Sequence, residues 1–197
     1  MHTLSCSRKH VRPHNRHPLP PYAAPGSPEK KLESRNAQKV ARLLANKLKP
    51  LGFQRTKTSI FTRSKPLVVE FVHIHKFSFE ASFRVHFGVR VRTDNFPGAH
   101  LNGPSSDEMR DPEDQSRRRY TFSFGPDAAS WDACAEEILQ CVLQEGSAWF
   151  ASMESQERLL SPSSPLTHEA RLALQRELQS ALPPQASEHT RNAFNAA

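Results

Sequence analysis

The stretch that decides the fold is FSFEASFRVHFGVRVR, residues 77–92, in which apolar and polar side chains alternate. Its odd positions carry phenylalanine, alanine and valine, and its even positions carry serine, glutamate, arginine, histidine and glycine. A period of two over this length predicts a β-strand with one buried face and one polar face. The polar face would be a basic strip that runs from Arg84 to Arg92.

The preceding stretch, LVVEFVHIHK at residues 67–76, predicts a second strand that pairs with the first. Its beginning is apolar on both faces, which favours a central place in the sheet. A tight connection between the two strands would place His75 opposite Glu80, and their apolar side chains would then share one face. The other face would collect the polar side chains, namely His73, His75, Glu80, Arg84 and His86. A slip of one residue would break this agreement.

Two further segments complete the predicted sheet, and three helices are predicted to pack on one of its faces. A strand is predicted over residues 53–63, which has Phe53 and Phe61 at its ends. Another is predicted over residues 117–124, where Tyr120, Phe122 and Phe124 alternate with polar residues. Ser27 followed by proline is typical of a helix start, and apolar residues at spacings of three and four extend that helix to about residue 48. The same spacing predicts helices over about 129–157 and 167–182. The sequence therefore predicts an α+β fold, a four-stranded antiparallel sheet with an N-terminal helix and two C-terminal helices packed on one face.

The ends of the chain and one long connection have the composition of unpacked segments. Residues 1–26 form a basic tail rich in histidine and proline, and such a composition predicts disorder. Residues 93–116 contain many turn signals and six acids, and we expect the part over about 97–116 to be a mobile acidic loop. One α+β domain over 27–182 and a flexible tail over 183–197 account for the rest.

The charge of the chain is unevenly divided. Of the 197 residues, the first 92 carry a net charge of +15 and the remainder a net charge of −8. Such asymmetry fits either a polyanionic partner or two halves that neutralise each other in the fold. We favour the second interpretation, because the basic residues are spread along the predicted elements.

Cysteine usage and hydropathy indicate the cytoplasm. The three cysteines, at positions 6, 134 and 141, are too few and too irregular for a disulfide framework. No apolar run approaches the about 20 residues that a membrane span requires, and no secretory h-region is present. We expect a cytoplasmic protein that does not interact with a membrane.

Three segments carry a resemblance to a known family. They are LKPLGFQRTKTSIFTR at residues 48–63, VVEFVHIHK at 68–76 and FRVHFGVRV at 83–91. Over about residues 31–150 the chain resembles a bacterial family catalogued as domain of unknown function 4304. The family's second strand tends to carry a polar segment with glutamine, where this chain has His73-Ile74-His75. The resemblance implies a small α+β domain of unestablished function and supplies no catalytic residue.

One short motif has the composition of a metal site. Alternation puts His73 and His75 on one strand face, and the predicted hairpin brings Glu80 beside His75. Two imidazoles and a carboxylate suit a divalent transition metal, and His86 or His100 would add a further ligand. A metal-dependent enzyme built on these residues is one hypothesis. Histidines paired with a carboxylate on the sheet surface, with no cofactor, are the simpler interpretation.

Nucleic-acid binding and partner binding are the other two hypotheses. A basic sheet face and a basic first helix resemble the surfaces of some single-strand binders, although the candidate stacking residues Phe79, Phe83 and Phe87 are expected to point to the core. The sequence contains no nucleophile elbow, phosphate loop or dinucleotide fingerprint. We therefore predict a non-catalytic binding module for an unknown protein or small ligand. Its face combines the polar sheet side with the 93–116 loop, through His73, His75, Glu80, Arg84, His86, Arg90, Arg92 and His100.

Overall fold

A long helix opens the fold, and its start and end follow from the sequence. The computed structural model describes residues 23–180 and 185–195, so most of the predicted 1–26 tail lies outside the described residues. Helix α1 spans Pro28–Leu48. The Ser27 hydroxyl accepts a hydrogen bond from the Lys30 amide at 3.1 Å, which confirms the predicted cap. A 3₁₀ turn over Lys49–Leu51 follows, and Gly52 ends it with a φ of 84°.

Four antiparallel strands form one sheet, as the sequence predicted. They are β1 (Gln54–Lys57), β2 (Ile60–Ser64), β3 (Val68–Lys76) and β4 (Phe83–Val91), adjacent in that order. The strand predicted over residues 53–63 is a hairpin, in which β1 and β2 are joined by a two-residue turn.

The prediction of a strand over residues 117–124 was wrong. This segment makes only isolated bridges, between Arg110 and Arg118 and between Ser82 and Ser123. Phe122 has a φ of 47°, which a regular strand does not allow. The Glu137 carboxylate accepts hydrogen bonds from the backbone of residues 121 and 122, both at 3.0 Å. The alternating aromatic residues are therefore buried without joining the sheet.

Helices cover one face of the sheet and enclose the main core. After the strands come α2 (Ala128–Cys141), a π-helical turn (Val142–Gly146), α3 (Ser147–Ser152), α4 (Gln156–Leu160) and α5 (His168–Gln179). Side chains of α1 to α5 join the inward side chains of the sheet in one buried cluster. Glu70 is buried on this face, and Arg63 on β2 donates a hydrogen bond to its carboxylate at 2.6 Å. Burial raises the pKa of Glu70, and the Arg63 charge opposes that shift.

A sixth helix lies on the opposite face of the sheet. Helix α6 (Glu188–Phe194) falls within the segment predicted to be a flexible tail, so sequence reasoning missed it. Phe194 has no exposed surface, and its ring centroid lies 5.1 Å from that of Phe71 on β3. Val69 completes this second, smaller buried cluster.

The register of the β3–β4 hairpin differs from the predicted one. His75 lies opposite Arg84, and His73 lies opposite His86. The predicted pairing of His75 with Glu80 was wrong because residues 77–82 form a loop between the strands, where a tight turn was expected. The observed register is shifted from the predicted one by an even number of residues. The polar side chains of both strands therefore still share one face.

A segment of the long loop runs along the free edge of β4. The Gly103 amide donates to the Phe87 carbonyl, and the Phe87 amide donates to the Pro104 carbonyl, both at 3.1 Å. The Asn102 side chain bonds both the amide and the carbonyl of Val89, at 3.0 and 2.9 Å. The loop predicted to be mobile over 97–116 therefore includes a segment bonded to the sheet.

Candidate ligand site on the open face of the sheet

We call the sheet face opposite the main core the open face, and α6 covers only half of it. The covered half contains Phe71, whose ring lies so close to Gly88 that a β-carbon there would approach the ring to 2.1 Å. Residues 94–98 and α6 meet over this half around Arg90. The other half carries the histidines of β3 and β4.

Arg90 is buried, which removes it from the predicted binding face. It is 3% exposed. Its guanidinium donates to the Thr190 hydroxyl at 2.6 Å, to the carbonyls of Asp94 and Phe96 at 2.8 and 2.6 Å, and to the Gly98 carbonyl. Burial lowers the pKa of Arg90, and the Asp94 carboxylate opposes the shift. Arg90 therefore fastens the 94–98 loop and α6 to β4, which is a structural role.

The uncovered half begins with a row of side chains that crosses the whole sheet. The strand registers pair Lys57 with Ile60, Ile60 with His73, and His73 with His86. Beyond β4, His86 forms an isolated bridge with Ser105 of the long loop. In the next row towards the hairpin, His75 lies opposite Arg84. The polar face that the sequence predicted is therefore present, and Lys57 lies on it.

Three imidazoles form what we call the histidine cluster: His73, His75 and His86. The His73 ring stacks on the His86 ring with centroids 6.1 Å apart, and the His75 ring lies 6.2 Å from His73. Burial lowers the pKa of His73 to about 4, and the positive charges that His86, His75 and Arg84 would carry add to the shift. Burial likewise lowers the pKa of His86, and the Arg84 charge adds to it.

Three buried nitrogen atoms at this cluster have no hydrogen-bond partner in the described structure. They are His73 Nδ1, His86 Nε2 and Arg84 Nε. The Arg84 guanidinium uses Nη1 to donate to the Asp107 carboxylate at 2.9 Å. Buried polar atoms are nearly always paired in folded proteins. Three such atoms at neighbouring positions on one sheet face leave hydrogen-bonding capacity unused there.

A cleft of about 390 Å³ lies beside the cluster, which we call the open-face cleft. His73 and Phe71 belong to its lining from β3, and Lys57 belongs to it from the β1 side. The walls are the loop at residues 97–101 and the end of α6. Leu101 on the loop is 48% exposed. A concave, largely apolar surface with a few polar groups is typical of a small-ligand site.

Aromatic side chains continue from the cluster to the loop at residues 77–82, which we call the hairpin tip. Phe79 is 60% exposed, and its ring centroid lies 5.2 Å from that of Phe77. The Phe77 ring in turn lies 6.1 Å from the His75 ring, and the Arg84 guanidinium lies 5.6 Å from the Phe77 centroid. The expectation that Phe79 points into the core was wrong, because the strand begins only at residue 83.

The remaining predicted site residues lie apart from the cluster. Glu80 belongs to the hairpin tip and does not pair with His75. His100 stacks on Phe96 with centroids 4.1 Å apart, in a separate cleft of about 540 Å³ against α5. Arg92 lies at the end of β4, where its backbone bonds Leu67 and Ser187. Across residues 23–180 and 185–195 no set of three histidine, cysteine or acidic side chains is placed to hold a metal ion.

The end of α6 is the part of the site that sequence reasoning missed. The sequence placed either Arg55 or Lys57 on the polar face, and the structure has Lys57 there. Lys57 reaches the open face through an irregularity in the β1–β2 pairing between residues 55 and 57. Its ammonium group donates to the Asn192 carbonyl of α6 at 2.9 Å. The apolar residues of α6 are only Ala193 and Phe194, which are adjacent and form no helical pattern.

Comparisons with known proteins found no relative from which a function could be inferred. No family model, no curated protein and no solved structure matches the chain. Within the part of the chain that the structure describes, none of the helices has the length and apolar character to cross a membrane.

Proposed function

We propose that this protein is a non-catalytic binding module that holds a small ligand in the open-face cleft. The observation that carries the proposal is that His73, which lines the cleft, neighbours His86 and Arg84 on the open face. Each of these three residues has a buried nitrogen atom without a hydrogen-bond partner. The apolar lining supplies contact area, and the polar atoms supply orientation. The resemblance to the family of unknown function 4304 stays a prediction and adds no residue to this proposal.

Occupancy of the cleft can be tested with a neutral fluorescent probe. We expect phenylnaphthylamine, which is apolar and uncharged, to bind the full chain with an increase in fluorescence. Ala99→Leu should abolish this binding, because residue 99 lies in the cleft lining and a larger side chain would occupy the space. Ala151→Leu, on the exposed side of α3, is the matched control. Unchanged binding by Ala99→Leu would refute the proposal, provided that both variants melt like the wild type.

Single-stranded nucleic acid is the second candidate, and the hairpin tip favours it. The exposed Phe79 ring beside Phe77, His75 and Arg84 is an arrangement on which a base can stack. On α1, Lys39 lies 3.8 Å from the Trp131 ring, and Lys47 is paired with Asp132 and Glu136. Some of the basic helix is therefore already engaged within the protein.

Fluorescence anisotropy with a labelled single-stranded oligonucleotide separates the two candidates. Binding through several phosphates should weaken steeply between about 50 and 200 mM salt. Phe79→Ala should weaken it further, while Phe96→Ala at the other cleft should not. An absence of binding at low salt excludes this second function and leaves the small-ligand proposal untouched.

We further propose that the protein works in the cytoplasm. The support is that Cys134 and Cys141 are free and buried. Burial raises the pKa of each thiol to about 12, which keeps it protonated and unreactive.

A further inference from the structure

We infer that the ligand of the open-face cleft is an amphipathic acid, whose oxyanion head is held by Arg84, His86 and His73. Its apolar body would lie in the cleft against Phe71 and Leu101. This inference rests on the proposed function, because it names the chemical class that the same site would take.

The first step is the supply of hydrogen-bond donors. Arg84 Nε can only donate, since a guanidinium has no acceptor. Each imidazole can present an N–H at the nitrogen that has no partner, His73 Nδ1 or His86 Nε2. Three donors at neighbouring positions on one sheet face suit the several acceptor oxygens of a carboxylate, sulfonate or phosphate.

The second step is the charge around these donors. Two cations face the site, Arg84 from β4 and Lys57 from β1. The nearest acid, Asp107, is shared between Arg84 at 2.9 Å and Arg118 at 3.4 Å. Glu108, an exposed residue of the same loop, acts on His86 at longer range. The two arginines and the two acids balance, so the positive charge in excess around the site is that of Lys57, which favours a negative head group.

The third step is the position of the donors relative to the cleft. His73 belongs both to the cleft lining and to the row that leads to His86. The floor beyond His73 is the Phe71 ring, and the loop wall is formed in part by Leu101. A ligand whose head lies at His86 would thus extend its body over His73 into apolar surroundings. Neither a purely apolar molecule nor free inorganic phosphate would use both parts.

Two probes that differ in a single group test this inference on the full chain. Anilinonaphthalene sulfonate has the ring system of phenylnaphthylamine with one added sulfonate. We expect the sulfonate probe to bind at least about tenfold more tightly, as charge-assisted hydrogen bonds strengthen binding. Arg84→Gln and His86→Asn should remove this preference, so that each variant binds the two probes with about equal affinity. Arg176→Gln, at the other cleft, is the matched control and should preserve the preference.

The pH dependence provides an independent readout. The groups that surround the head are His73, His75, His86, Arg84, Lys57, Asp107 and Glu108. Burial lowers the pKa of His73 to about 4 and also lowers that of His86. A bound sulfonate stabilises their protonated forms, so its affinity should rise as the pH falls from 7 to 5, while that of the neutral probe stays flat. Inorganic phosphate should displace the sulfonate probe and not the neutral one.

The possible outcomes separate this inference from the proposed function. If the neutral probe binds and the sulfonate adds no affinity, the acidic head is refuted and the cleft proposal stands. If the sulfonate preference survives both Arg84→Gln and His86→Asn, the head lies elsewhere and the inference is overturned. If neither probe binds, the cleft itself is not a ligand site.

Discussion

At the scale of single residues, the contact between Gly88 and Phe71 is the tightest constraint on the open face. A β-carbon at position 88 would lie 2.1 Å from the Phe71 ring, and that ring is itself pressed between β4 and Phe194. We expect Gly88→Ala to lower the free energy of unfolding by roughly 1–3 kcal/mol, as overpacking does in other cores. Urea denaturation measures this loss.

The same pair offers an internal control. Phe71→Leu removes the ring that the new β-carbon would meet, so Gly88→Ala should cost less in that background than in the wild type. Strictly additive losses in the double variant would show that the Phe71 ring is not the cause.

Residue types also explain what the sequence could and could not predict. The cap at Ser27 and the alternation in β3 and β4 are local, and both were predicted correctly. Arg90 was assigned to the polar face because arginine counts as polar in any alternating pattern. Its burial depends on carbonyl groups of residues 94–98, which turn back over it. A local sequence pattern does not show that the chain folds back over Arg90.

At the scale of elements, α6 is the piece whose attachment matters most to the site. Its main apolar anchor is Phe194, which lies against Phe71. We expect Phe194→Ala to destabilise the fold by about 3 kcal/mol or more and to detach α6. Hydrogen exchange should then accelerate in residues 188–194 and in the 94–98 loop that shares Arg90 with them.

The contrasting variant is Phe79→Ala at the hairpin tip, where the ring is exposed. Its effect on stability should stay within about 0.5 kcal/mol. Slow exchange of α6 in Phe194→Ala would show that the Thr190 and Asn192 contacts suffice to hold the helix.

The elements also show why the candidate site was only partly predictable. The alternation of side chains along β3 and β4 determines which of them share a face. The sequence therefore grouped the right side chains together, namely His73, His75, Arg84 and His86. The register of the two strands depends on the length of the loop at residues 77–82. The apolar and polar residues of the sequence keep alternating through this loop, so the pattern does not show where the strands end. Helix α6 was missed because the partner of Phe194 is more than a hundred positions away in the sequence.

At the scale of the whole molecule, the neutral state of His73 links stability to pH. The folded protein binds a proton at His73 only near pH 4, while the unfolded chain binds it near pH 6.5. The unfolded state therefore holds more protons between these values, and stability must fall as the pH decreases through them. We expect this residue to contribute roughly 1–2 kcal/mol of that loss, after discounting for its solvent-exposed part.

Urea midpoints measured between pH 7 and pH 4 check this expectation. His73→Gln keeps a polar side chain without the titration, so its stability should decline less steeply with acid than that of the wild type. The groups near His73 remain in both proteins and cancel in the comparison. Parallel declines would contradict the assignment to His73.

The segment that runs beside β4 has a consequence for behaviour at high concentration. A nine-residue strand with an unpaired edge is a template for pairing with another chain, which begins cross-β assembly. Here the Asn102 side chain and the backbone of residues 103–106 occupy that edge. The opposite edge, β1, has only four residues, an irregular register and two basic side chains. Within the part of the chain that the structure describes, both margins of the sheet therefore lack the long, regular, unpaired edge on which intermolecular strand addition begins.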